Sequence, residues 1–273
     1  MKQAFQGSGI GSMRAQSGLA WDMARRDVFA RYKGSVIGLA WSFFYPVLML
    51  GVYTFVFGVI FRSRWATAEG DAPLTSEFAL ILFSGLVVYG FFSECLNKAP
   101  LLVASNVQFV KKVVFPLAIL PVSTVLSALF HMAVSLLVLL LTMLVLKGGV
   151  PLTVLAFPLV VLPLVMATLG CTWLLSALGV YLRDLSQVTP LVTTMLLFLS
   201  PVFYPITAVP PAFRRVVELN PITGVMDGVR DALVFGHWPS PTLLAWQYVV
   251  GALVMMLGLA VFQFLRKGFA DVI

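Results

Sequence analysis

The chain has 273 residues, of which 60% are hydrophobic and only 11% are charged, and its mean hydropathy is +0.99. Because a water-soluble domain carries about 25% charged residues, this composition excludes a soluble globular fold. The net charge of +7 does not indicate a nucleic-acid partner, since the basic residues are distributed as the topology of a membrane protein requires.

The amino-terminal stretch is polar and rich in Gly and Ser, and no apolar run precedes residue 36, so we expect no cleavable signal peptide. Residues 15–33 then fit a helix that lies in the membrane interface. Its apolar stripe consists of Trp21, Ala24, Val28 and Tyr32, at intervals of three or four. An ordinary basic flank that sets the orientation of the first span explains the same residues equally well.

Six charge-poor runs predict membrane-spanning helices and an all-α fold. A hydrocarbon core about 30 Å thick is crossed by about 20 apolar residues of helix. The runs are residues 36–61, 78–93, 113–146, 148–182, 185–213 and 238–265.

The distribution of basic residues predicts the orientation. With the amino terminus in the cytoplasm and six spans, twelve of the 18 Lys and Arg residues fall on the cytoplasmic side. The positive-inside rule therefore favours a multi-pass protein of the inner (plasma) membrane with both termini cytoplasmic.

Aromatic residues cluster in the first and fifth runs. They are Trp41, Phe44 and Tyr45 in the first run, and Phe198, Phe203 and Tyr204 in the fifth. Many such residues are explained as large side chains that face lipid or as members of the aromatic belt at the membrane surface. A stripe of aromatic rings with polar tips also offers sugar rings an apolar face along a conduit, and composition does not decide between the two.

Few ionisable or nucleophilic groups fall inside the runs. His131 has no acidic partner visible in the neighbouring sequence, so we expect it to serve packing rather than proton transfer. Glu94 is expected to pair locally with Asn97 or Lys98 at the end of the second run. Cys95 and Cys171 have no metal or redox spacing and are interpreted as small packing residues.

Two segments interrupt the pattern of spans joined by minimal loops. Residues 97–116 mix apolar residues with lysines and end at a proline, which favours a short cytoplasmic helix. Residues 205–241, on the outer side, are cut by prolines into two amphipathic pieces at roughly 211–219 and 222–235. Both pieces are too short and too charged to cross the membrane.

The sequence bears on two kinds of enzyme chemistry. The chain has no GxxxxGK[ST] phosphate loop, so ATP hydrolysis must belong to another polypeptide. A membrane-embedded transferase remains an alternative because the outer segment holds Glu218, Asp227, Asp231 and His237. Asp227, Arg230 and Asp231 stand at helix spacing, however, and mutual salt bridging explains them more simply.

Five motifs in order give the chain a family resemblance. They are RDVFARYKGSVIGLAWSFFYPVLMLGVYTFVFGVIF (26–61), SNVQFVKKVVFPLAILP (105–121), YLRDL (181–185), SPVFYPITAVP (200–210) and NPITGVMDGVR (220–230). Together they resemble type-2 ABC transporter permeases that export polysaccharides, such as O-antigen, capsule or teichoic acid. The resemblance covers residues 20 to 270.

The resemblance implies an architecture and partners. It implies a tail with an amphipathic interface helix in residues 1–35 and a six-helix permease domain in residues 36–273. It also implies a homodimer that works with two copies of a separate cytoplasmic ATPase, which binds the ATP and Mg²⁺. The chain itself is expected to be a transport subunit without a cofactor, which contacts membrane lipids and moves lipid-linked polysaccharide.

The resemblance also assigns residues to four roles. The ATPase-coupling helix maps to Ser105, Asn106, Gln108, Phe109, Lys111 and Lys112. The interface helix carries Trp21, Arg25, Arg26, Phe29 and Tyr32. The conduit candidates are Trp41, Phe44, Tyr45, Phe198, Phe203 and Tyr204, because the first and fifth helices line the conduit in the family. The outer gate helices carry Arg214, Arg215, Glu218, Asn220, Asp227 and Arg230.

Three rival functions are compatible with part of the pattern. A type-2 permease for another lipid or a drug often has larger outer loops or a fused ATPase, and this chain has neither. A membrane-embedded transferase acting alone is the second rival. An ion-coupled carrier, the third, more typically shows inverted repeats and buried charges.

Overall fold

The computed structural model describes residues 9–60, 75–110 and 115–272, and every regular element in these ranges is helical. This confirms the all-α class. The α-helices are α1 Gly9–Tyr32, α2 Trp41–Tyr53, α3 Thr75–Lys98, α4 Val107–Val110, α5 Ile119–Lys147, α6 Phe157–Tyr181, α7 Leu185–Leu199, α8 Pro211–Glu218, α9 Pro221–Arg230, α10 Pro241–Leu265 and α11 Phe269–Val272. A π-helix, Thr54–Ile60, continues α2, and another, Asp231–Phe235, continues α9.

Five helical segments of the described chain are long and apolar enough to cross a membrane. They are Gly38–Phe57, Glu77–Leu101, Ile119–Lys147, Leu152–Tyr181 and Pro241–Gly268. The fifth predicted run, 185–213, is instead represented by the 15-residue helix α7. It ends because Ser200 adopts an extended backbone (ψ 147°) before Pro201. Since a full crossing needs about 20 residues, five of the described helical segments have the length of a span, and α7 is a shorter apolar helix.

Helix α3 lies at the centre of the bundle. It contacts α2, α5, α6, α7 and α9, and 78% of its apolar window is buried. By contrast, only 11% of the window in Gly38–Phe57 is buried. The main core therefore forms around α3, whereas α2 lies at the periphery of the chain.

Helices α6 and α10 pack with their backbones in direct contact, and glycines make this possible. A Cβ on Gly258 would overlap the carbonyl group of Gly170, and one on Gly251 would lie 2.5 Å from the carbonyl oxygen of Pro163. Small residues at a helix interface let membrane helices approach closely, so the contact depends on these positions.

Contacts between loops and helix ends define two ends of the bundle. At one end, which we call the α1 end, Tyr181 donates to the carbonyl of Leu265 at 2.8 Å, and Gly179 touches the backbone of Pro100. The carboxyl end of α1 reaches the same end through Arg31. At the opposite end, the α9 end, Lys147 lies 3.2 Å from Glu77. The long helices α3, α5, α6 and α10 thus run between the two ends of the described bundle.

A second apolar cluster fills the α1 end. Its buried members are Val103, Leu117, Leu120, Trp173, Ala177, Val180, Phe262 and Phe269. Trp173 also donates its indole N–H to the carbonyl of Ala118 at 3.0 Å. Because Met23 of α1 and Phe109 of α4 pack against this cluster, it joins the interface helix, the segment after α3 and the carboxyl-terminal helix.

Candidate functional site

A network of charged side chains connects α1, α3 and α5 at the α1 end. The Glu94 carboxylate is its centre and accepts from Arg31 Nη1 at 2.7 Å and from Lys98 Nζ at 3.1 Å. Lys98 also reaches Asp27 at 3.2 Å. The predicted local pairing of Glu94 with Lys98 is confirmed, and the pairing extends further to another helix.

His131 has an acidic partner, and the expectation that it had none was wrong. Its Nδ1 lies 3.0 Å from both carboxylate oxygens of Glu94. A carboxylate only accepts, so Nδ1 carries the hydrogen, and its 3.3 Å contact with Arg31 is a close approach of two donors. The partner was missed because 37 residues separate the two side chains, and the rotation of α5 about its axis decides whether they meet.

The network balances its charges around a centre, Glu94 and His131, that has little contact with water. The side chains of Glu94 and His131 are 18% and 14% exposed. Two cations, Arg31 and Lys98, face two carboxylates, Glu94 and Asp27, so no fixed charge is left uncompensated within this group. Such a network positions α1 on the bundle, because loss of one member leaves a poorly solvated charge without its partner.

The network borders a cavity of about 620 Å³ between α1, α2, α3 and α5. Its lining at the α1 end is polar, with Arg31, Tyr32, Ser42, Asn97 and Lys98. Its remaining lining is mainly apolar or aromatic and includes Met49, Phe83, Leu86, Val87, Met132 and Leu197. The cavity is therefore amphipathic along its length.

The predicted conduit residues do not form one surface within a single chain. Trp41 and Tyr45 line the cavity, whereas Phe44 is exposed and lies outside its lining. On the other side, Phe198 is exposed, Phe203 stacks on Phe57 with ring centroids 5.3 Å apart, and Tyr204 donates to the Phe198 carbonyl at 2.8 Å. Two separate aromatic faces result.

The predicted interface segment forms helix α1, and its buried face differs from the predicted stripe. Ala20, Ala24 and Val28 are buried, and α1 packs against α5. Trp21 is 63% exposed, because its ring points away from the bundle.

The remaining predicted residues of α1 lie on its outer side or at its end. Arg25 and Arg26 are exposed, and Arg25 lies 5.7 Å from the centroid of the exposed Phe29 ring. Tyr32 is half-buried beside His131, with their ring centroids 6.2 Å apart. Burial raises the pKa of the Tyr32 hydroxyl above its ordinary value.

The predicted coupling segment is a series of short turns rather than one helix. Turns of 3-10 helix at Ala99–Leu101 and Ala104–Asn106 precede α4. Ser105 and Gln108 are exposed, and the Asn106 side chain donates to the Leu102 carbonyl at 2.9 Å. Lys111 and Lys112 lie outside the described residues.

The ring of Phe109 is half-buried within the chain. It stacks on Phe115 with centroids 4.4 Å apart and packs against the second apolar cluster.

At the α9 end, Arg230 holds the predicted gate pieces to the bundle. Its guanidinium is 2% exposed and donates to the carbonyls of Pro201 at 2.6 Å and Val202 at 3.1 Å. It also lies 3.2 Å from Asp227. Burial raises the pKa of the Asp227 carboxyl, and Arg230 opposes that rise only in part.

The other predicted gate residues have supporting positions. The Asn220 side chain caps α9 by accepting from the Ile222 amide at 3.1 Å, and it donates to Ser200 at 2.9 Å. Arg215 and Glu218 are exposed on α8, and Arg214 donates to the carbonyl of Thr207 at 3.3 Å.

The acidic groups weighed for a transferase are engaged separately. Asp227 pairs with Arg230, while Asp231 lies 4.0 Å from His237. Within the described ranges, no group of three His, Cys, Asp or Glu side chains is arranged to hold a metal ion.

Comparison with known proteins places the chain in a family. Residues 19–234 match the ABC-2 type transporter family. The O-antigen export system permease protein RfbA of Myxococcus xanthus is 27% identical over 256 residues, covering 93% of this chain and 95% of the relative. A protein of the same name from Klebsiella pneumoniae is 25% identical over 254 residues, covering 92% and 93%.

A third relative carries a different name. The polysialic acid transport protein KpsM of Escherichia coli is 21% identical over 242 residues, covering 87% of this chain and 90% of the relative. The family match spans most of the sequence, from α1 to the π-helix after α9. It confirms the resemblance to type-2 ABC transporter permeases. The chain belongs to the ABC-2 type transporter family.

Proposed function

We propose that the chain is the membrane-spanning permease subunit of an ATP-driven exporter of lipid-linked polysaccharide, with O-antigen as the leading candidate. One observation carries this proposal. Relatives named as O-antigen export permeases align with at least 92% of the chain, so the similarity includes both the bundle and the short α8–α9 pair. A permease for another lipid or a drug is the second candidate, since it would share the same family.

In the proposed topology, six helices cross the inner membrane, with α7 as the fifth. The α1 end faces the cytoplasm, as the positive-inside rule favours. Residues 1–35 form the tail and interface helix, and residues 36–273 form the permease domain. The way in which the long helices run between the two ends of the described bundle supports this arrangement.

A separate ATPase, in two copies, would bind at the segment after α3 and beside α1. Leu101, Ser105 and Gln108 are exposed and stand four and three residues apart. ATP and Mg²⁺ would be bound by the ATPase. This chain would respond only through a displacement of the segment to which the ATPase docks.

The second apolar cluster would transmit this displacement to the helices of the bundle. Phe109 packs on the same cluster as Trp173 of α6 and Phe262 of α10, and Met23 of α1 joins it. ATP shifts a conformational equilibrium only through its different affinities for two arrangements. A displacement of the docking segment would therefore be felt by α1, α6 and α10 together.

A second copy of the chain would pair through α2 and α7. Both helices present large apolar side chains that are exposed within the described part of the chain, including Leu48, Val52, Leu191 and Met195. The aromatic faces of α2 and α7 are separate in one chain. In a symmetric pair, Trp41, Phe44 and Tyr45 would line one conduit near the α1 end, and Phe198, Phe203 and Tyr204 would line it near the α9 end.

A cell-based experiment tests this function. In a host that lacks its own glycan permease, we expect the chain and its ATPase to restore glycan at the cell surface. Without the chain, lipid-linked glycan should accumulate inside. Restored resistance to a lipophilic drug without surface glycan would favour the second candidate and contradict the first.

A further inference from the structure

The cavity beside the Glu94 network has the chemical layout of a lipid site. Along α3, its lining extends from Lys98 at the α1 end to Phe83. At 1.5 Å per residue, this distance is about 22 Å. Charged and hydroxyl groups occupy one end and apolar groups the rest, which matches a polar head group followed by a hydrocarbon chain.

The charged end is arranged to receive an anion. Arg31 and Lys98 both donate to the same carboxylate oxygen of Glu94, at 2.7 and 3.1 Å, so their nitrogens lie within about 6 Å of each other. Tetrahedral phosphate oxygens can accept from two cations at this separation. Their side chains are 51% and 36% exposed, so a ligand can reach both.

Glu94 and Asp27 occupy these cations in the unliganded chain. Each carboxylate accepts from Lys98, and Glu94 also accepts from Arg31. Glu94 has a second donor in His131, and therefore keeps a partner if Arg31 and Lys98 turn to a ligand. The exchange leaves no buried carboxylate without a hydrogen bond.

The position of the cavity suits a lipid of the leaflet next to α1. Tyr32, Trp41 and Tyr45 line it near the amphipathic helix. Tyr and Trp are the residues that concentrate at the head-group level of membranes.

We propose that this cavity binds the phosphate-bearing head group of a membrane lipid, with Arg31 and Lys98 taking its phosphate in exchange for Glu94 and Asp27. The hydrocarbon chain extends along α3 toward Phe83. The lipid is either the prenyl carrier of the transported glycan, a source that rests on the proposed function, or a phospholipid of the bilayer.

The test is lipid binding to the full-length chain in detergent, followed by native mass spectrometry. The probes are geranylgeranyl diphosphate, phosphatidylglycerol and geranylgeraniol, which lacks phosphate. We expect Arg31→Gln with Lys98→Gln to weaken binding of the phosphorylated probe about tenfold, because charge-assisted hydrogen bonds are lost. Glu94→Gln should tighten binding several-fold, since it removes the carboxylate charge that competes with the ligand for Arg31 and Lys98.

The matched control is Arg266→Gln with Lys267→Gln. It removes two exposed cations at the same end of the bundle, outside the cavity, and should leave binding unchanged. If the double variant at Arg31 and Lys98 does not fold, two single variants test the proposal. Arg31→Gln alone should weaken binding of the phosphorylated probe, and Glu94→Gln should tighten it.

The outcomes separate the lipid sources. Binding of the diphosphate alone assigns the site to the glycan carrier, and equal binding of phosphatidylglycerol assigns it to bilayer phospholipid. Equal binding of geranylgeraniol, or affinities unaffected by either cavity variant, would overturn the proposal. Because no transport is measured, lipid binding without glycan export would refute only the proposed function, and export without binding would refute only this site.

Discussion

Gly85 of α3 provides the space in which the guanidinium of Arg230 lies. A Cβ at Gly85 would stand 2.8 Å from Nη2 of Arg230, the atom that bonds the carbonyls of Pro201 and Val202. A position without a side chain on the central helix thus allows α9 and the end of α7 to be held together. Neither residue reveals this relationship in the sequence, where 145 positions separate them.

Gly85→Ala should therefore destabilise the α9 end. The new methyl group displaces the guanidinium, and the loss of its carbonyl bonds should cost about 1–3 kcal/mol. Thermal unfolding of the purified chain in detergent measures this. Gly90→Ala is the matched control, because a Cβ there meets nothing within 4 Å. Equal unfolding temperatures for the two variants would show that Gly85 does not make room for Arg230.

Gly258→Ala should disrupt the pairing of α6 and α10. Its methyl group would overlap the backbone of Gly170, which cannot rotate aside as a side chain can. We expect the free energy of unfolding to fall by about 1–3 kcal/mol and less protein to accumulate in the membrane. Gly51→Ala, where the space is open, serves as control. Normal stability of Gly258→Ala would mean that the two helices are not packed this closely.

Substitutions in the segment after α3 should distinguish effects on ATPase docking from effects on the stability of the chain. Because Ser105 and Gln108 are exposed, replacing both with Glu should weaken ATPase association without changing the unfolding temperature. Phe109→Ala should lower both, since it removes packing from the second apolar cluster. Co-purification and thermal unfolding measure the two effects. A Phe109→Ala chain of full stability would contradict the buried placement of this ring.

Trp41 should contribute to glycan passage. We expect Trp41→Ala to reduce surface glycan several-fold while the protein still inserts and associates with its ATPase. Trp246→Ala removes an exposed Trp from α10, away from the proposed conduit, and should leave export unchanged. Equal effects of the two variants would indicate a general role in the aromatic belt, the interpretation that the sequence left open.

Self-pairing through α2 predicts a specific cross-link. A cysteine at Val52, which is exposed on α2, should form a disulfide-linked dimer in membranes under oxidation. A cysteine at Leu257, exposed on α10, should not. Dimers formed through Leu257 alone would place the interface on the other side of the bundle.

Sequence reasoning predicted the helices better than the contacts between them. The run lengths and the positions of proline predicted the all-α class and the two amphipathic pieces that form α8 and α9. Each of these features depends on the local sequence pattern. The pairing of Glu94 with His131 depends on how helices are rotated, and Trp21 proved exposed although it shared a predicted stripe with Ala24. Length alone overestimated the fifth run, because Ser200 and Pro201 end α7 early.

The most direct test of the account is transport in a reconstituted system. Proteoliposomes containing the chain and its ATPase would be loaded with labelled lipid-linked O-antigen on the outer, ATP-facing leaflet. The account predicts that ATP moves the label to the protected interior and that no label moves without this chain. Unchanged label distribution, in vesicles where the assembled complex hydrolyses ATP, would contradict the claim that it exports lipid-linked polysaccharide.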